Sequence, residues 1–278
     1  MIKEQNIFAI VILLLLSSIN VYGQHFEFNK RLLYKLTYAP NSSEKTNLSE
    51  EYFEMFINDS ISLFRSFNKG KLDSANQIGF QNGNTFGDIS VATAYYTKFN
   101  FQILKKDNTI SFFDYIEGFS EDLLKYDEKL ELKWVIMPDT KTIHGMECQL
   151  ASTNYAGRVW NAWFGKDVPI FEGPYKFSGL PGLIIKITSD DNTWDFDLVN
   201  LNTNEIKKIF FNQYPKLQIK TFSKKDFYKE TNYYKINRIQ IDESAGKIIF
   251  PTANDRKMMQ TNYNHRLKQY SNKIEICP

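Results

Sequence analysis

A chain of 278 residues is long enough to bury a substantial core in one large domain or two small ones. Lys and Arg number 34 against 32 Asp and Glu, and a net charge of +2 excludes the strong basic field that most nucleic-acid binders carry. With 23 Phe, 16 Tyr and 4 Trp the chain is 15% aromatic at ordinary Gly and Pro, which excludes a disordered or collagen-like protein and leaves many rings that need burial or a ligand.

Residues 1–6 carry one Lys and one Glu, and residues 7–16 are an unbroken apolar run of ten, followed by small residues that place Val21 and Gly23 at −3 and −1 of a processing site. A run of ten is too short for a hydrocarbon core of about 30 Å, so residues 1–23 read as a secretory signal peptide and residues 24–278 as one exported β-rich domain. No Cys stands at the cleavage site, so no lipid anchor is expected, and no later stretch has membrane-spanning length. Export makes Cys148 and Cys277 candidates for a disulfide joining the end of the chain to its middle, against two free thiols.

Turn signals then recur between short runs rich in Phe, Tyr, Ile, Val and Thr. Strands are expected over 32–38, 52–58, 60–67, 98–105, 109–116, 131–137, 141–151, 159–164, 183–188, 193–200 and 207–211. The clearest hairpin alternates Leu183, Ile185 and Ile187, turns at Ser189-Asp190-Asp191-Asn192 and returns through Trp194, Phe196 and Leu198. The expected fold is therefore mainly β, an antiparallel sheet with C-terminal helices capped by Ser223 and by Asn254 or Asp255. Residues 205–278 hold 15 Lys and Arg against 7 Asp and Glu, so a basic segment packs on an acidic β portion or meets envelope polyanions.

The stretch 133–198 is the most informative. Gly157-Arg158-Val159-Trp160-Asn161-Ala162-Trp163-Phe164 precedes Gly173-Pro174-Tyr175-Lys176-Phe177-Ser178, which leads into Gly179-Leu180-Pro181-Gly182-Leu183-Ile184. These residues resemble the GLPGLI family of exported Bacteroidetes-type proteins, named for that hexapeptide. The resemblance implies an envelope compartment and a fold similar to the bowl-like N-terminal module of some secreted glycan-releasing amidases, so the sheet is expected to curve into an open half-barrel or bowl; it carries no catalytic residues. Read physically, Leu180-Pro181-Gly182-Leu183 predicts a type II turn, with Pro setting φ and Gly accepting positive φ.

Chemistry-bearing arrangements are sparse. His25, His144 and His265 are scattered, and no zinc, calcium or phosphate-loop motif is present, so neither metal nor cofactor is expected. His144, Met146 and Cys148 would share one strand face and suit copper(I), but such a row is more often core. Ser66-Phe67-Asn68-Lys69 matches Ser-x-x-Lys without supporting motifs, and Asp114, Glu117, Glu121 and Asp122 sit in a run that reads as a solvated face. Trp160 and Trp163 face opposite sides of a strand, and one of them can line a ligand platform with Tyr175 and Phe177. Arg158 beside them can hold a ligand carboxylate or an internal partner such as Glu147 or Glu172.

With no catalytic set legible, the leading expectation is a non-enzymatic envelope protein, periplasmic or outer, that binds a small apolar or glycan ligand or a protein partner. A carboxylate-based hydrolase and an accessory to outer-membrane transport or assembly are the alternatives. Chain purified from its native host is expected to begin at Gln24; an intact mass that retains residues 1–23 would exclude cleavage.

Overall fold

The computed structural model describes residues 25–82, 89–115, 122–210 and 218–276. The expected leader, and Cys277 with the disulfide proposed for it, fall outside these residues. Among the described residues, β1 (His25–Phe28) pairs with β13 (Lys207–Phe210) in a two-stranded ribbon, and the other twelve strands form one sheet.

That sheet is two antiparallel meanders joined edge to edge. The first runs through β2 (Lys30–Tyr38), β3 (Ser49–Ile57), β4 (Ile61–Ser66), β5 (Gln102–Lys106), β6 (Thr109–Tyr115) and β7 (Asp122–Glu128). The second runs through β8 (Val135–Ile143), β9 (Met146–Tyr155), β10 (Arg158–Gly165), β11 (Leu183–Ser189) and β12 (Trp194–Asn202). β12 pairs antiparallel with β2, and β14 (Gln218–Phe222) adds to β7 in parallel.

Chain length forces this sheet to curl. β7 and β8 stand ten strand positions apart, which is about 48 Å across a flat sheet at the usual strand spacing. Yet only residues 129–134 connect them, and seven residue steps reach about 25 Å when fully extended. The two ends must therefore approach each other. The result is the expected open bowl, mostly antiparallel and not closed into a barrel.

Alternation then sorts side chains between the faces. Trp160, Ala162 and Phe164 of β10 are buried inside the bowl with Leu183, Ile185 and Ile187 of β11, Trp194, Phe196 and Leu198 of β12, and Tyr34, Phe53, Phe64, Phe112 and Tyr126 of the first meander. The intervening residues of β3, β4, β6 and β7 face outward, where Phe56, Leu63, Phe113 and Leu123 pack with Phe28 and Ile209 of the ribbon. Most of the aromatic excess is spent on these two layers.

Local turn chemistry corrects several sequence expectations. Residues 141–151 are not one strand: His144 and Gly145 have φ of 50° and 78°, a two-residue turn of the kind that matches strand twist, so β8 and β9 form a hairpin with Ile143 opposite Met146. The same device joins β5 to β6 through Asp107-Asn108 and β9 to β10 through Ala156-Gly157. The acidic run that suggested a solvated face contains β7, whose Leu123, Leu124 and Tyr126 are buried. Two unexpected helices follow β4: α1 (Phe67–Gln81) and α2 (Ile89–Ala94). Of the expected helices, α3 (Lys224–Ser244) is capped by Ser223, whose hydroxyl accepts from the Asp226 N–H. Thr252, not Asn254 or Asp255, caps α4 (Ala253–Gln269), and Asp255 closes the capping box three residues in.

The hexapeptide belongs to the long connection between β10 and β11, residues 166–182, which folds back into the bowl. Tyr175, Phe177 and Leu180 are buried there, and the Trp134 indole N–H donates to the Ser178 carbonyl at 2.9 Å. The expected type II turn does not form. The Leu183 N–H donates instead to Val168 O at 3.2 Å, and Gly182 has a positive φ of 158°, far from the roughly 80° that a type II turn uses. Gly182 is needed for space: a Cβ there would lie 2.2 Å from the Gly165 carbonyl oxygen, which the sheet holds in place. At Gly173 a Cβ would lie 2.6 Å from the Ile184 side chain. Gly182→Ala is expected to cost about 1–3 kcal/mol through backbone displacement, read as a lowered urea midpoint; an unchanged midpoint would refute the close-approach account.

Candidate functional site

An open cleft of about 530 Å³ lies where the β3–β4 and β5–β6 turns meet the outer edge of the 166–182 connection. Its apolar lining comes from Ile110, Leu130 and Ile170, and its polar lining includes Asn58, Ser60, Asn108, Thr109 and Ser178. The Lys105 ammonium meets the Glu172 carboxylate at 2.7 Å and the Phe177 carbonyl at 3.1 Å, and Ser62 donates to the other Glu172 oxygen at 3.2 Å. These bonds tie the sheet to the connection that walls the cleft. Phe171, also in the lining, is 62% exposed, an open ring beside hydroxyl and amide groups.

The aromatic residues singled out in the sequence lie elsewhere. Trp160, Tyr175 and Phe177 are buried inside the bowl, with the Trp160 and Phe177 centroids 4.7 Å apart, so protein covers their faces. Trp163 points to the opposite face, as its spacing requires, and carries the Lys141 ammonium 4.0 Å above its ring. Arg158 is buried as well, and its partners are neither Glu147 nor Glu172. One guanidinium nitrogen donates to Asp191 at 2.8 Å and Thr193 at 3.2 Å; the other donates to Asn272 Oδ1 at 2.6 Å and the Lys273 carbonyl at 2.8 Å. Burial works against ionising Asp191, but hydrogen bonds from Ser189 and Thr193 and the Arg158 charge hold its carboxyl well below the usual range. The arginine thus clamps the terminal segment against the β11–β12 turn.

Other candidate groups are engaged or dispersed. His144 sits in the β8–β9 turn, outside the strand face that would align it with Met146 and Cys148, and its ring bonds Asp197 at 2.8 Å. The buried Cys148 thiol donates to Met146 O at 3.5 Å, and burial raises its pKa. Ser66 donates to Glu51 at 2.6 Å and accepts from the Lys69 N–H at 3.3 Å, while the Lys69 ammonium pairs with Asp73 rather than with the Ser66 hydroxyl. Asp114 accepts from the Tyr115 N–H at 2.8 Å. Glu117 and Glu121 fall outside the described residues, and nothing is described of the Asp122 side chain. Among the described residues no three His, Cys, Asp or Glu side chains converge as metal ligands.

Sequence reasoning missed a buried charge cluster at the floor of the bowl. Lys176, with no exposed surface, contacts Glu128 at 2.6 Å, Glu275 and the Tyr126 hydroxyl, beneath the rings of Phe112, Tyr126 and Tyr175. Lys224 at the start of α3 reaches Glu128 at 2.8 Å and Glu275 at 3.2 Å. Tyr155 and Tyr175 donate to the Glu275 carboxylate at 2.9 and 2.6 Å. Burial, reinforced by Glu275, pushes both phenol pKa values up, so these hydroxyls remain donors. Burial likewise lowers the Lys176 ammonium against the pull of Glu275 and Glu128. For Glu275, burial opposes ionisation, but Lys176, Lys224 and the hydrogen bonds outweigh it and bring the carboxyl down to about 2. A lysine set between Tyr175 and Phe177 was a legible hint; Glu275, 99 residues away, offered none.

A family described as "Protein of unknown function (Porph_ging)" matches residues 152–186, from β9 through the buried connection into β11. No curated protein matches the chain. "Structure of PNGF-II in P21 space group" is similar at TM-score 0.52 and 10% identity over 74% of this chain, and "Structure of PNGF-II in C2 space group" at 0.50 and 11% over 73%. The chain spans about a third of the length of those proteins, 34% and 32%. At such identity the likeness is one of fold.

Because the Glu275 pKa is depressed, its stabilisation is complete above 4.5 and fades as pH falls towards about 2. Glu275→Gln is expected to cost about 3–5 kcal/mol at pH 7 and to flatten the loss of stability across that acid window, measured by urea unfolding. Parallel curves for variant and wild type would remove Glu275 as the titrating group.

Proposed function

We propose that the chain is an exported GLPGLI-type protein of the bacterial envelope that binds a glycan without turning it over, in the cleft beside the β3–β4 and β5–β6 turns. The supporting observation is the exposed Phe171 ring in a lining it shares with the apolar Ile110, Leu130 and Ile170 and the polar Asn58, Ser60, Asn108 and Ser178. Sugars present apolar faces and a ring of hydroxyls, and that combination of one open ring with small polar groups suits them. Lys30, Lys105 and Lys106 in the lining are matched in number by Asp59, Asp107 and Glu172, a balance that favours a ligand without net charge over a strongly charged one. The rings buried inside the bowl have a sufficient role in packing and are left out of this reading.

The test is binding of the full chain to an array of glycans released from the native envelope. Wild type is expected to retain one class and return it with unchanged mass. Phe171→Ala should weaken retention about five- to tenfold, the worth of one ring stacked on a ligand face, while Trp163→Ala on the far face should not. Shortened glycans would refute the non-enzymatic role, and equal retention by wild type and Phe171→Ala would refute the cleft.

A further inference from the structure

The terminal segment, residues 271–276, lies on the body of the protein as a bound peptide lies in its site. Its main chain is held near both ends: the Asn272 N–H donates to Pro40 O at 3.0 Å and the Ile276 N–H to Ala156 O at 2.9 Å. Between them, Arg158 donates to the Lys273 carbonyl and the Asn272 side-chain oxygen, and the Asn272 amide donates to Ala39 O at 2.7 Å. Ser271, Lys273 and Ile276 face solvent while Glu275 is buried, so the segment covers the surface with one carboxylate sunk beneath it.

We propose that Tyr155, Tyr175, Lys176 and Lys224 form a binding site for the carboxylate of an extended peptide, and that residues 271–276 are its built-in occupant. Tyr155 of β9 and Tyr175 and Lys176 of the 166–182 connection donate to one oxygen of the carboxylate, and the Lys224 ammonium of α3 stands 3.2 Å from the other as an ion pair. Tyr175 holds a left-handed backbone at φ 57°, an unfavourable conformation for a bulky residue, in the turn from which its hydroxyl reaches Glu275. Charge makes the same demand. Without Glu275, Lys176 and Lys224 would face Glu128 alone, leaving one uncompensated positive charge around an ammonium with no exposed surface. An anion is therefore part of the design, and main-chain contacts with side-chain pockets are the usual means of reading an extended segment. A free carboxylate, or a peptide carrying Asn and Glu three residues apart, has the chemistry to replace the tail.

Two arms test this on the full chain. In the first, thermal midpoints of wild type and Glu275→Ala are compared in sodium acetate and in sodium chloride at equal ionic strength. Acetate is expected to raise the midpoint of Glu275→Ala above its value in chloride and to leave wild type unmoved; identical responses to the two salts would overturn the site. If Glu275→Ala does not fold in chloride, recovery of a native near-ultraviolet spectrum in acetate supports the proposal, and failure in both salts overturns it. In the second arm, the labelled hexapeptide of residues 271–276 is titrated into chain carrying Asn272→Ala and Glu275→Ala, which loosens the resident tail. It should bind about tenfold tighter than the same peptide carrying Glu275→Gln, as expected for losing a charge-assisted contact. Equal affinities, or binding of neither, would confine the site to small carboxylates or remove it, according to the acetate arm.

Discussion

The Lys176 ammonium sits inside an apolar bowl without exposed surface, and much of the architecture answers to it. A buried charge costs several kcal/mol unless opposite charge and hydrogen bonds surround it. Here the compensation is gathered from distant parts of the chain: Glu128 at the end of β7, Glu275 near the terminus, the Tyr126 oxygen and three ring faces. The lysine therefore ties the first meander, the long connection and the terminal segment to one point. Arg158 adds a second tie a short distance along the same segment, so the end of the chain is locked at two charges.

The long connection also decides which concave surface of the sheet stays open. Its inner part, Tyr175 to Phe177 and Leu180, fills the concavity that an open curved sheet would otherwise present as a pocket. Its outer part, Ile170 to Glu172 and Ser178, walls the cleft at the edge of the first meander. One stretch thus serves as plug on one side and cleft wall on the other, with the Lys105–Glu172 pair fixing its position against the sheet. The family match over residues 152–186 coincides with that stretch and the strands that carry it.

Alternating hydrophobicity made most strands legible, because a sheet face that packs on a core must repeat every second residue. It failed where other demands intervened. His144-Gly145 turns the chain within an otherwise continuous β pattern, since one Gly beside a residue tolerating positive φ suffices for a two-residue hairpin. β7 escaped notice because its three acids and Lys125 interrupt the cues from Leu123, Leu124 and Tyr126. Thr252 displaced the expected caps of α4, since a hydroxyl three residues before Asp255 completes a reciprocal pair that Asn254 or Asp255 would forgo. Gly182 has the expected positive φ but outside a type II turn, and its missing side chain also admits the Gly165 carbonyl.

By itself, the sequence determined the β-rich class, the antiparallel strands with terminal helices, and the opposite facing of Trp160 and Trp163, all of which follow from local periodicity and chirality. Only the tertiary structure decided that Trp160, Tyr175 and Phe177 fill a core, that Arg158 answers Asp191 and the tail, and that Lys176 meets Glu275. Those partners are up to 115 residues apart along the chain. Spacing cannot encode such meetings, because they depend on two meanders closing edge to edge and on a connection turning inward, and both follow from the packing of the whole sheet.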